Sequence, residues 1–104
     1  MTDAELVTFA QEFREWILDG APSDMMCEVV SWPLAGLLNF HGIECKTVET
    51  DLGEMNHVWI KLKDGRALDA TADQFNKLFS KNYPPIYLGP PLGFHCDPEA
   101  TPDA

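Results

Sequence analysis

The chain has 104 residues, enough for one domain around a single core, and its 45% hydrophobic and 11% aromatic content argues against disorder. Seventeen acidic against seven basic residues leave a formal charge of −10, which argues against nucleic acid or an anionic membrane surface as partner. No apolar run approaches the roughly 20 residues that span a bilayer, and no basic segment leads into an apolar one. The expectation is a cytoplasmic protein whose three cysteines stay reduced.

Thr2-Asp3-Ala4-Glu5 fits a capping box, and Leu6, Phe9, Ala10, Phe13, Trp16 and Ile17 follow at helical spacing. This first helix should bury its aromatic stripe and stop at Gly20 and Pro22. Ser23 or Asp24 can cap a second helix carrying Met26, Val29, Val30, Leu34, Leu37 and Leu38 and ending at His41-Gly42. Apolar on most of its circumference, it should be the central buried helix, bent or tightened at Pro33. Strands are expected over Ile43–Asp51, over Met55–Lys63 and, after the Asp64-Gly65 turn, over Arg66–Ala70. A helical turn at Asn76–Phe79 and a short strand at Ile86–Leu88 complete the domain. One domain over residues 1–94 is expected, with 95–104 as a loose tail.

Within this frame Cys27 stands at a helix start, His57 on a strand and Asp69 on the strand that returns from the turn. A helix N-terminus favours a thiolate, because unpaired N–H groups and the helix dipole stabilise negative charge. A strand holds an imidazole rigidly, and its neighbour can bring a carboxylate to the far ring nitrogen. Those are the parts of a nucleophile, base and orienter for acyl transfer. The bland alternatives are an inert core thiol and a satisfied core histidine. Asp73 rivals Asp69 as the orienter.

The turn decides whether the parts can meet. A two-residue turn at Asp64-Gly65 sets Ile60 opposite Asp69 and sends His57 and Asp69 to opposite faces. A three-residue loop, Lys63-Asp64-Gly65 with Gly65 left-handed, sets Trp59 opposite Asp69 and makes His57 its diagonal neighbour. Aspartate-glycine serves either.

Cys27 heading the central helix, His57 in a His-x-Trp strand, and Asp69 in Asp-x-Thr-x-Asp-Gln-Phe resemble the transglutaminase-like and papain-like superfamily of thiol enzymes. The resemblance spans roughly Met25 to Leu88. It implies an α+β fold with N-terminal helices packed on a small antiparallel sheet, and catalysis by Cys27, His57 and Asp69 through a thioester. The substrate would be an amide of a peptide or protein, either a peptide bond or a glutamine side chain. The pattern departs in having Glu28 after the cysteine and no glutamine between Gly20 and Met26 to stabilise an oxyanion. A non-catalytic binding or regulatory module on the same fold is the alternative.

Zinc is the other chemical option, from His41 with Cys45 or His95 with Cys96, but no Cys-x-x-Cys accompanies them. Neither a nucleotide fingerprint nor a phosphate loop is present, so no cofactor is expected.

Overall fold

The computed structural model describes residues 1–97. Helix α1 runs over Asp3–Leu18, and its first turn is closed by the capping box. Thr2 Oγ1 accepts from the Glu5 N–H at 3.1 Å, and Glu5 Oε1 accepts from the Thr2 N–H at 3.0 Å. The helix buries Leu6, Ala10 and Leu18. Trp16, assigned to the apolar stripe, is instead 76% exposed.

Helix α2 spans Cys27–Phe40, with Pro33 in its interior and no side-chain cap. Ser23 and Asp24 lie too far upstream to serve. The Ser23 hydroxyl is engaged elsewhere, donating to Asp73 Oδ1 at 2.8 Å. The helix thus begins at the cysteine itself. Its inner face buries Val30, Leu34, Ala35 and Leu38 against Leu6 and Ala10 of α1 and against Ile60, Leu62 and Leu68 of the sheet. Burial is one-sided: Val29, Trp32, Leu37 and Phe40 are exposed, so α2 covers the sheet rather than filling the centre of the molecule.

The fold is α+β, with α1 and α2 packed against an open antiparallel sheet ordered β1-β2-β3-β4. The strands are β1 (Cys45–Asp51), β2 (Asn56–Leu62), β3 (Ala67–Asp69) and β4 (Tyr87–Gly89). A 3-10 turn, Ala72–Phe75, and a single helical turn, α3 (Asn76–Phe79), link β3 to β4. Between β2 and β3 the register pairs Ile60 with Leu68 and Lys61 with Ala67. Leu62 N–H donates to Arg66 O at 2.9 Å, Gly65 N–H donates to Leu62 O at 2.9 Å, and Gly65 has φ +91°. That is the three-residue loop. Carried one pair further, it sets Trp59 opposite Asp69, with His57 on the same face.

The face turned from the helices carries a second, aromatic core of Trp59, Phe75 and Phe94 with Val48, Ala67 and Tyr87. Residues 92–97 close this face. The Thr50 hydroxyl donates to Cys96 O at 2.5 Å, and Lys61 Nζ pairs with Asp97 at 3.0 Å. The domain therefore holds the chain to Asp97, beyond the boundary expected at 94, and His95 is buried rather than part of a tail. The rest of the expected tail, 98–104, lies outside the described residues.

Candidate functional site

Strand alternation sends His57 and Trp59 into the aromatic core, where His57 is fully buried with its ring edge-on to Phe75 at 4.8 Å. Asp69 ends β3 and is equally buried. Its Oδ2 takes His57 Nε2 at 2.6 Å, and its Oδ1 accepts from the Thr71 N–H at 2.9 Å and the Thr71 hydroxyl at 3.3 Å. A second imidazole reaches the same oxygen, with His95 Nε2 2.7 Å from Asp69 Oδ2. A carboxylate only accepts, so each ring presents an Nε2–H to it.

With Nε2 committed, Nδ1 is the His57 nitrogen left for chemistry. It lies 3.3 Å from Gln74 Nε2, an amide that also donates to Thr71 Oγ1 at 3.0 Å. Gln74 Oε1 in turn accepts from the Met25 N–H at 3.3 Å. The Gln74 contact is long, and a proton on Nδ1 would turn that atom from acceptor to donor.

Cys27 sits over the start of β2, its sulfur 4.0 Å from Asn56 O. Burial alone would push the thiol up. Hydrogen bonding to His57, the Val58 N–H, the His57 charge and the Glu28 N–H outweigh it and bring the thiol below its ordinary value. His57 shows the complementary effect. Burial works against its charge, yet hydrogen bonds to Asp69 and then Cys27, with the charges of both, push it up to about 9. Asp69 is disfavoured as an anion by burial, but the two histidines hold it well below the usual carboxylate range. Each group thus favours the charged form of the next.

A cleft of about 480 Å³ opens beside the thiol, walled by Cys27 with Met25, Glu28, Glu49, Met55 and Asn56. Its volume falls in the range of small-ligand sites.

Asp73, the rival orienter, is occupied elsewhere. Arg14 grips it with two bonds, Nη1 to Oδ1 at 2.8 Å and Nη2 to Oδ2 at 2.7 Å. Of the other thiols, Cys45 is raised by burial and donates to Ala35 O at 3.6 Å, and Cys96 is exposed. Among the described residues, the one group of three or more potential metal ligands is His57, Asp69 and His95, whose ligand atoms lie within 4.8 Å of one another. Two nitrogens at 2.6 and 2.7 Å from one oxygen are at hydrogen-bond spacing, whereas ligands about 2.0–2.1 Å from a tetrahedral zinc stand more than about 3 Å apart. The cluster as built is a hydrogen-bond site.

Two residues of the site escape sequence reasoning. Gln74 lies in the Asp-Gln-Phe run after the strand, where nothing in the residue pattern points it to an imidazole. His95 follows two prolines in a stretch resembling a tail, and the only signal for it is the flanking pair Leu92 and Phe94, apolar side chains in need of a core. No protein family, curated protein or solved structure gives a significant match to the chain.

Proposed function

We propose that the chain is a small cysteine hydrolase or acyltransferase on a papain-like or transglutaminase-like core, acting on the amide of a peptide or protein. The observation that carries this reading is His57, which has one nitrogen on the buried Asp69 carboxylate and lies near enough to Cys27 that each favours the charged form of the other. In this reading the Cys27 thiolate attacks the amide carbonyl carbon and the C=O pair moves onto oxygen. The Cys27 N–H, in the uncapped first turn of α2, is one donor for that oxyanion. The intermediate collapses to a thioester as His57 Nδ1–H protonates the departing amine. His57 then takes a proton from the water or amine that attacks the thioester, and the acyl group leaves Cys27. Asp69 keeps the proton of Nε2 in place throughout.

A specific observation favours the second reading, a non-catalytic module. The thiol contact at 4.0 Å goes to a carbonyl oxygen, and Gln74 stands at Nδ1. Competitive labelling with iodoacetamide at about pH 6, mapped by peptide mass, separates the two. An enzyme labels at Cys27 ahead of the exposed Cys96, and His57→Ala abolishes the lead. Labelling of Cys96 ahead of Cys27 refutes the catalytic reading.

A further inference from the structure

Two imidazoles share one carboxylate oxygen, so the site holds one negative charge and two rings able to claim it. The backbone decides between them. Leu92 N–H donates to His95 Nδ1 at 3.0 Å. An N–H cannot accept, so His95 Nδ1 carries its lone pair and the ring proton sits on Nε2, facing Asp69. A second proton on His95 would set two donors against each other and break the turn in which His95 N–H also donates to Leu92 O at 2.8 Å. His57 is under no such restraint, since its Nδ1 meets a side-chain amide at 3.3 Å rather than a backbone N–H.

We infer that His95 is a positioning residue for the thiol chemistry: held by Leu92 as the Nε2–H tautomer, it clamps Asp69 and reserves the carboxylate's charge for His57. The inference rests on the thiol reading above. The clamp is stiff. His95 is 3% exposed, its ring packs on Trp59 at 4.9 Å and Tyr87 at 5.6 Å, and Trp59 Nε1–H donates to Thr50 Oγ1 at 2.9 Å. Thr50 then donates to the carbonyl of Cys96, the residue after His95, closing a ring of contacts around the segment. With Oδ1 taken by Thr71, Asp69 has donors on both oxygens and no free rotation. Among the described residues, Cys27 on His57 and Tyr87 on His95 are the titratable groups facing the three. The Tyr87 phenol is pushed up by burial, so it is protonated at pH 6, where the variants are compared.

The test is the pH profile of Cys27 carboxymethylation in the full chain, for wild type, His95→Gln, His95→Leu and His57→Ala. Glutamine keeps an N–H for Asp69 and an oxygen for Leu92, and should stay within about threefold of wild type at pH 6. Leucine removes the donor and should slow labelling about tenfold at pH 6, while matching wild type near pH 10, where any thiol is ionised. A general loss of structure would alter the rate at both ends. A leucine profile superimposed on wild type, with His57→Ala slow, overturns the role of His95 and leaves the thiol site standing. Profiles unchanged in both overturn the two together. Ring ¹⁵N shifts of wild type at pH 6 test the tautomer with no substitution: Nε2–H with bare Nδ1 on His95 supports the clamp, and a proton on His95 Nδ1 refutes it.

Discussion

Asp69 and Asp73 lie four residues apart, and each receives two nitrogen donors from distant parts of the chain, yet they do opposite work. Arg14 holds Asp73 with a guanidinium that never gives up its charge, and adds bonds from Nη1 to the carbonyls of Ala70 and Pro85 at 2.8 and 2.9 Å. That is a fastening between α1, the strand exit and the approach to β4. Asp69 is held by two imidazoles, of which His57 is pushed up to about 9, and it is wholly buried. Its charge can be felt by a neighbouring group that gains or loses a proton. The partner's chemistry separates a carboxylate that fastens the chain from one that sustains the charge of an imidazole.

The contrast breaks most sharply by neutralising each aspartate in turn. Asp69→Asn should slow Cys27 alkylation at about pH 6 by roughly 100-fold, because His57 loses its anionic support and the thiol returns toward its ordinary acidity. Asp73→Asn should leave that rate within about twofold while lowering unfolding free energy by about 1–3 kcal/mol, read from urea melts. Equal losses of reactivity in the two variants would erase the distinction.

Proton linkage sharpens it further. His57 holds its proton to about 9 when folded, against 6.5 when free, so the folded chain binds the extra proton between those values. Its stabilisation is complete below about 6.5 and is lost as pH rises through 9, by up to about 3 kcal/mol. Cys27 acts in the opposite sense, since its thiol is lowered in the fold. Urea melts from pH 6 to 9.5 should therefore show a fall that persists in Cys27→Ser and disappears in His57→Gln. A flat wild-type curve paired with a flat Cys27→Ser curve would contradict the ion pair. The smallest effect is expected at the loop that sets the register. Gly65→Ala places a side chain at φ +91° and should cost about 1 kcal/mol in the same melts, with Cys27 reactivity retained.

The helices, the hairpin partners and the order Cys27, His57, Asp69 are legible because hydrophobic periodicity and capping are local signals. The choice of turn is not, since Asp64-Gly65 accommodates either loop, and only the packing of Trp59 and His57 against one aromatic core selects three residues. The exposure of Trp16 and Trp32 is hidden for a related reason: α1 and α2 carry more apolar side chains than one sheet face can cover. Ser23 has the right residue type for a cap, but Asp73, fifty positions on, claims its hydroxyl. His95 lies furthest from view, because its partner Asp69 is 26 residues away and nothing adjacent to it in the chain requires a carboxylate.

Trp59 also gives the site an optical readout. Trp16 and Trp32 are 76% and 56% exposed, whereas Trp59 is fully buried beside His95. Acrylamide should quench the first two and spare the third, leaving a blue-shifted emission from within 4.9 Å of the imidazole that clamps Asp69. In a Trp16→Phe, Trp32→Phe chain that single fluorophore would report, without any label, each time the Asp69 cluster is protonated, alkylated through Cys27 or pulled open.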